Sequence, residues 1–335
     1  MFRRHRAAPS LRRSLPWLVA TPTVLVITLA LHRADPLFAQ APTPLEGLEI
    51  PATLEAGSQL TIESSDAMQR INEALQPRFS GQYGDATVNV TYSDSATALQ
   101  ALIDQKVDLA AIGRGLTAAE EQAGLQQVPV ARHKIAIVTS PDNSFAGSLT
   151  IEQFAQIFRG EITNWAEVGG PDAAIVLVDR PATSDTRQAF LNYPVFQSAP
   201  FEAAPGATTL ANDSTADMVA ALGPNSLGYA IANQVIDNPA VKVVPMHDTL
   251  PTDDRYPFSQ PLAYVYRASD PPPAALAYLG YAVNPDNEAV IAEAQAAAAQ
   301  EATPATPAAA TTEATTPEDA TVTQAETTPA QPTPG

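Results

Sequence analysis

Three short runs of hydroxyl and carboxyl residues carry most of the chemistry this sequence offers. Ser64-Ser65-Asp66, Ser93-Asp94-Ser95-Ala96-Thr97 and Thr183-Ser184-Asp185-Thr186 each stand between an apolar run and an amphipathic stretch, where a strand hands over to a helix. Any one of them is explained as a helix N-cap, because a short side-chain oxygen accepts from the free amides of the first turn. Three together suggest more. Arg114 and Arg180 follow two further apolar runs, and hydroxyls, amides and guanidinium groups converging on one cleft suit a tetrahedral oxyanion.

The remaining inventory narrows the chemistry. The 335 residues include no cysteine, which excludes disulfide staples, thiolate metal sites and a cysteine nucleophile. After the first 41 residues only His133 and His247 remain, not at metal-ligand spacing, and neither a G-x-S-x-G nor a Walker pattern occurs. The sequence therefore predicts no enzyme, no cofactor and no metal site. His133, between Arg132 and Lys134, reads as a solvent-exposed edge position. Acidic residues outnumber basic ones 36 to 18, for a formal net charge of -18. That balance repels nucleic-acid phosphates and anionic lipid at long range, so neither is an expected partner. A buried cleft with a few directed donors escapes the objection, since each hydrogen bond counts for more where water is excluded.

The elements that must position these groups alternate. Leu60-Thr61-Ile62 reads as a strand, followed by Met68, Ile71, Leu75 and Phe79 at helical spacing. Val88 to Tyr92 is the next strand, with Leu99, Leu102 and Ile103 on the helix after it; 107–112 and 134–139 are further strands. A second unit begins at Thr150, where Gln153 three residues on makes a capping box, and Gly160 ends that helix. Residues 175–178 and 226–231 read as strands, the first feeding a helix from Thr186 and the second leading back to the first unit. Residues 241–244 and 262–266, then helices near Ala274 and Asn287, complete the first unit. The alternation predicts α/β architecture, and its length suits two modest lobes better than one core.

Both ends differ from this body. Five arginines crowd residues 3–13, an apolar run follows to Leu31, and Ala39-Gln40-Ala41 closes it. Residues 1–41 thus read as an export signal peptide, with an uncleaved anchor as the competing reading, and the product as periplasmic or secreted. Removing them leaves 12 basic against 35 acidic side chains. Residues 42–58 read as a linker. From 297 to 335 the chain is almost wholly Ala, Thr, Pro, Glu and Gln, which cannot bury enough apolar area to offset its entropy, so a disordered tail is expected.

The body, across nearly all of 60–295, resembles the PstS-type phosphate-binding proteins of the type II periplasmic-binding-protein fold. Ile157-Phe158-Arg159-Gly160-Glu161-Ile162-Thr163-Asn164-Trp165 is similar to the family's IF-x-G-x-ITNW stretch. Asn225 to Tyr229 is similar to its G-x-IGY strand, and Tyr256 to Leu262 to its YPLSRPL stretch. Arg180 to Arg187 lies where the family has R-x-x-G-S-G-T-R, keeping Arg180, Ser184 and Thr186 but replacing both glycines, by Thr183 and Asp185. Ser95 and Thr97 fall near the serine of the GSGSG turn, Ser65 precedes the first junction, and Ala67-Met68 aligns with its Thr-Phe or Thr-Met pair. Leu109 to Arg114 corresponds to IA-x-ASR; an Asp near the Arg114 position accepts the proton of hydrogen phosphate in other members.

The resemblance implies a two-lobed fold, each lobe a mixed sheet flanked by helices, joined by two hinge strands. Lobe one comprises 59–138 and 229–296 and lobe two 139–228, with hinges near Ala136 to Ser140 and Leu227 to Ile231. It implies phosphate or a related oxyanion as ligand, held by Ser65, Ala67, Met68, Ser95, Thr97, Arg114, Arg180, Ser184, Asp185 and Thr186, with Arg187 as an adjunct. ABC permease subunits are the implied partner, and the membrane is met only through the signal segment or that permease. The competing reading is a non-transport envelope module that keeps the fold and has weakened or lost phosphate binding. Asp185 itself has two readings. Pointing inward it accepts a hydrogen bond from a protonated ligand oxygen; pointing outward it is part of a helix cap.

Overall fold

The computed structural model describes residues 45, 47–84, 86–197 and 201–302, with side chains to 298. The expected signal segment and residues 303–335 of the expected tail lie outside the described residues.

Nine strands and nine helices are described. The strands are β1 (Gln59–Ser65), β2 (Thr87–Ser93), β3 (Leu109–Ile112), β4 (Leu125–Thr139), β5 (Val176–Asp179), β6 (Thr208–Thr209), β7 (Ser226–Ile231), β8 (Lys242–Val244) and β9 (Ser259–Arg267). The helices are α1 (Gln69–Gln82), α2 (Ser95–Ile103), α3 (Ala118–Gln122), α4 (Ile151–Arg159), α5 (Asp185–Gln188), α6 (Pro194–Gln197), α7 (Thr215–Ala221), α8 (Pro273–Ala282) and α9 (Glu288–Ala302). Strand order is β2-β1-β3-β9-β4-β7-β5-β6, with β8 on β4. β1 runs parallel to β2 and β3, β9 antiparallel to β3 and β4, and β7 antiparallel to β4 but parallel to β5.

Alternation along the strands shows how both faces are covered. In the first half Leu109, Ala111, Leu262 and Tyr264 face a core with α1 and α8, while Ala110, Ile112, Ala263 and Val265 face another with α2. The second half repeats the plan. Ile135, Ile137, Leu227 and Tyr229 face an aromatic core with Phe154, Phe158, Trp165 and Phe190, whereas Ala136, Val138 and Ala230 face Met218 of α7. Period-two burial on both faces is what a sheet with helices on each side requires.

The capping box at α4 forms as its spacing predicts: Gln153 N donates to Thr150 Oγ1 at 3.1 Å and Thr150 N to Gln153 Oε1 at 2.9 Å. Gly160 takes φ 74° to end the helix. Trp165, fully buried, donates through Nε1 to Asn225 O at 3.1 Å.

Several expectations need correction. The 15-residue β4 is more than twice as long as the strand expected at 134–139, because Pro129 and a register shift before Ala131 break the alternation. β7 does not return to the first half; it pairs with β4 and β5 inside the second. The strands that pass between halves are β4, where Val128 belongs to one core and Ile135 to the other, and the approach to β9, where Phe258 and Leu262 divide likewise. The cores thus change near 133 and 259, where the sequence reading placed boundaries at 138/139 and 228/229. The helix expected from Thr186 is one turn, α5, followed by a 3-10 turn. In the linker interval Leu45, Leu48 and Leu54 pack on the first core, and α9 continues through 297–302.

Candidate functional site

Strand ends deliver the first wall of a cleft. Ser65 closes β1 just before a 3-10 turn at Asp66–Met68, and Met68 is a core side chain with no exposure. After β2, Asp94 caps α2: its Oδ1 accepts from Ala96 N at 2.9 Å and Thr97 N at 3.0 Å, and its Oδ2 accepts from Thr97 Oγ1 at 2.8 Å. Thr97 is therefore spent on the cap and faces solvent. Ser95 instead points inward, buried, with the end of β3 beside it. There Gly113 donates its N–H while its carbonyl accepts from Gln260 Nε2 at 3.0 Å.

The second wall is ionic. Asp179, at the end of β5, accepts from Tyr229 Oη at 2.5 Å, Arg180 N at 3.0 Å and Arg187 Nε at 2.9 Å. Arg187 lies over the rings of Phe201 and Phe158, at 4.4 and 5.4 Å. Arg180 donates to Asp213 Oδ1 at 2.5 Å, Thr215 Oγ1 at 3.3 Å and the Tyr229 carbonyl at 3.3 Å. Ser184 Oγ accepts from Arg187 N at 3.2 Å, as an N-cap does. Burial, reinforced by the Asp179 carboxylate, pushes the Tyr229 phenol far above its ordinary range.

The walls meet at Asp185. Its carboxylate points inward: Oδ2 accepts from Ser95 Oγ at 2.9 Å and from Gly113 N at 3.1 Å. The Ser65 hydroxyl lies near the same carboxyl without closing a hydrogen bond of ordinary geometry. Burial raises the Asp185 pKa, against the opposing pull of Ser95, Ser65, Arg114 and Gly113.

A cavity of about 600 Å³ opens from this junction, lined by Ser65, Ala67, His133, Arg180, Asp185, Thr186, Asp213 and Gln260 among others. Four of its lining residues carry buried polar atoms with no hydrogen bond among the described residues: Ser65 Oγ, His133 Nε2, Asp185 Oδ1 and Gln260 Oε1. Such atoms call for a ligand or water. Of the expected residues, Ser65, Ala67, Arg180, Asp185 and Thr186 line this cavity, and Ser95 joins them through its hydrogen bond to Asp185, whereas Ser184 caps α5 outside the lining. Arg114 does not line the cavity; its guanidinium forms a bidentate pair with Glu120 at 2.8 and 2.9 Å.

His133 is not the exposed edge position expected: it pairs with Gln260 across β4 and β9, and burial lowers its pKa to about 4. Sequence reasoning also passed over Asp179, Tyr229, Gly113, Gln260 and Asp213. Asp213-Ser214-Thr215 repeats the carboxyl-hydroxyl pattern before a helix, so it was findable. Nothing local marks His133 and Gln260, which meet only by strand register. Among the described residues no His/Cys/Asp/Glu group fits a metal ion, and no helix is long and apolar enough to cross a membrane.

Residues 51–286 match the PBP superfamily domain. The chain is 31% identical over 188 residues to the phosphate-binding protein PstS of Bacillus subtilis (strain 168), covering 55% of this chain and 60% of that one. It thus spans about three fifths of that relative's length. It is 25% identical over 247 residues to the protein SphX of Synechocystis sp., covering 66% and 72%. Among solved structures it is similar to an ABC-type phosphate transport receptor from Vibrio cholerae, with TM-score 0.62 and 26% identity over 70% of this chain and 98% of the other. A putative phosphate ABC transporter substrate-binding protein with bound phosphate from Clostridium perfringens shares the fold, with TM-score 0.58 and 23% identity over 71% and 98%.

Proposed function

The chain belongs to the PBP superfamily, and from that premise we propose that it is an exported binding protein that captures phosphate, or a closely related oxyanion, for an ABC permease. The observation that carries the reading is the gathering of donors from separate strand ends onto one carboxylate: Ser95 Oγ and Gly113 N reach it and Ser65 Oγ lies beside it. Donors that hold a buried carboxylate are donors of the kind a tetrahedral oxyanion needs. The names of the relatives supply the ligand and the transporter. Capture involves no bond chemistry: the two halves enclose the anion by turning about β4 and the approach to β9. Export rests on the basic and apolar pattern of the first 41 residues.

Calorimetry of the full mature chain with phosphate tests this. Saturable heat is expected, weakened by up to about tenfold by Ser95→Ala, which removes one charge-assisted hydrogen bond of roughly 1.5 kcal/mol. No heat at millimolar phosphate overturns the reading.

A further inference from the structure

Asp185 belongs to the second half by chain, opening α5 beside Arg187, yet every hydrogen bond its carboxylate makes is to the first half. The passage that admits it is shaped by Gly113. A Cβ at that position would stand 2.6 Å from Asp185 Oδ2 and 2.6 Å from Ala67 Cβ, so a side chain there and the inward carboxylate exclude each other. Asp185 as a residue is 7% exposed, and its second oxygen, Oδ1, is buried without a partner among the described residues.

We propose that the Asp185 carboxylate is a tethered occupant of the oxyanion cradle, holding the two halves together while no anion is bound and competing with the anion for the same donors. This rests on the oxyanion reading above. The argument is one of occupancy. Ser95 Oγ has one proton, directed at Oδ2, and Gly113 one N–H, which Oδ2 takes at 3.1 Å and shares with Ser95 Oγ at 3.3 Å. A deprotonated anion on those donors would stand in contact with a second negative charge in a buried place, and even a protonated ligand oxygen donating to Asp185 Oδ1 would find both donors already taken by Oδ2. One of the two must leave. Because the carboxylate is attached to the opposite wall, it returns at high effective concentration whenever the cradle empties. It also spans the cleft as a ligand would. Arg114, the cation whose field reaches Asp185, is held by Glu120 and does not compensate a second anion.

The cysteine-free chain allows a direct test. Exposed Glu121 on α3 and Glu152 on α4 are replaced by cysteine and spin-labelled, and the distance between labels is measured by pulsed electron resonance without anion. The Asp185 chain is expected to give one short, narrow distribution, and Asp185→Gly a longer or broader one. Phosphate affinity by calorimetry is expected to rise about tenfold or more in Asp185→Gly, because the intramolecular competitor is gone. Asp185→Asn, which keeps the shape and removes the charge, moves both readouts in the same direction by less and guards against misfolding of the glycine variant. Unchanged label distances in both variants overturn the tether, whatever phosphate does. Longer distances with phosphate affinity equal to or below the parent's overturn the competition. Longer distances with no phosphate heat in any chain uphold the tether and overturn the phosphate reading instead.

Discussion

The two walls of the cleft solve the same problem with opposite chemistry. The first presents neutral donors at the ends of β1 and β3 and the start of α2: Ser65, Ser95 and the Gly113 amide. The second presents full charges, and each of its cations has its own carboxylate, Arg187 with Asp179 and Arg180 with Asp213. The difference follows from what burial costs. A hydroxyl can wait with an imperfect partner at a cost of roughly 1–3 kcal/mol, whereas an unpaired buried charge costs far more. The ionic wall is therefore closed on itself, and what it offers a ligand is shape and orientation rather than net positive charge. On the proposed reading, this is also how an acidic chain would accommodate an anion: the responsive donors are neutral.

The sharpest way to break that contrast is to remove one member from each wall. Asp179→Ala strands the guanidinium of Arg187, whose side chain is 11% exposed, together with the Tyr229 hydroxyl proton. A loss of about 3–5 kcal/mol in urea unfolding is expected, the range for breaking a buried pair. Ser95→Ala removes a hydroxyl from the other wall and is expected to cost about 1 kcal/mol. Equal losses would show that the two walls do not differ in the way argued.

A second test addresses the seam. His133 lies where β4 crosses between halves, and burial holds its pKa down at about 4, against an ordinary 6.5. A base whose pKa is lowered by folding prefers to be neutral in the folded state. The stability tied to that preference is present in full above pH 6.5 and is lost as pH falls towards 4, up to about 3 kcal/mol. His133→Gln has no proton to take up in that window. Its urea midpoint is expected to fall less than the parent's between pH 7 and pH 4.5; identical slopes would mean that the imidazole is solvated.

How much of this was legible in the sequence depends on the range of the signal. The α4 capping box, the Gly160 stop, β7 and the family resemblance all rest on short stretches, and all are present in the structure. What failed was non-local. The two crossings between halves are fixed by pairing of residues more than 100 apart, such as His133 with Gln260, and no local pattern marks them. Pro129 hid half of β4 because it breaks an alternation that the sheet tolerates with a bulge. At the site, residue type was readable but direction was not. Arg114 and Arg180 advertise positive charge, while the carboxylates that neutralise them, Glu120 and Asp213, stand 6 and 33 positions away. Asp185 as a cap or as an inward carboxylate is a matter of side-chain direction, which its partners Ser95 and Gly113, 90 and 72 positions away, decide.

Thr97 gives the smallest effect and the most specific check. By sequence it is indistinguishable from Ser95: both are hydroxyl residues in the run that opens α2. Geometry separates them, because Asp94 collects the amides of Ala96 and Thr97 together with the Thr97 hydroxyl, all on the solvent side of the first turn. Thr97→Val removes one of three hydrogen bonds to a cap that keeps the other two and remains hydrated. A change of about 0.5 kcal/mol or less in stability is expected, with phosphate affinity unchanged within twofold. Ser95→Ala weakens the same binding by up to about tenfold. If Thr97→Val lowers affinity as much as Ser95→Ala, then α2 must turn on ligand capture to bring its outer hydroxyl into the cleft, and the first wall is a moving element rather than a fixed cradle.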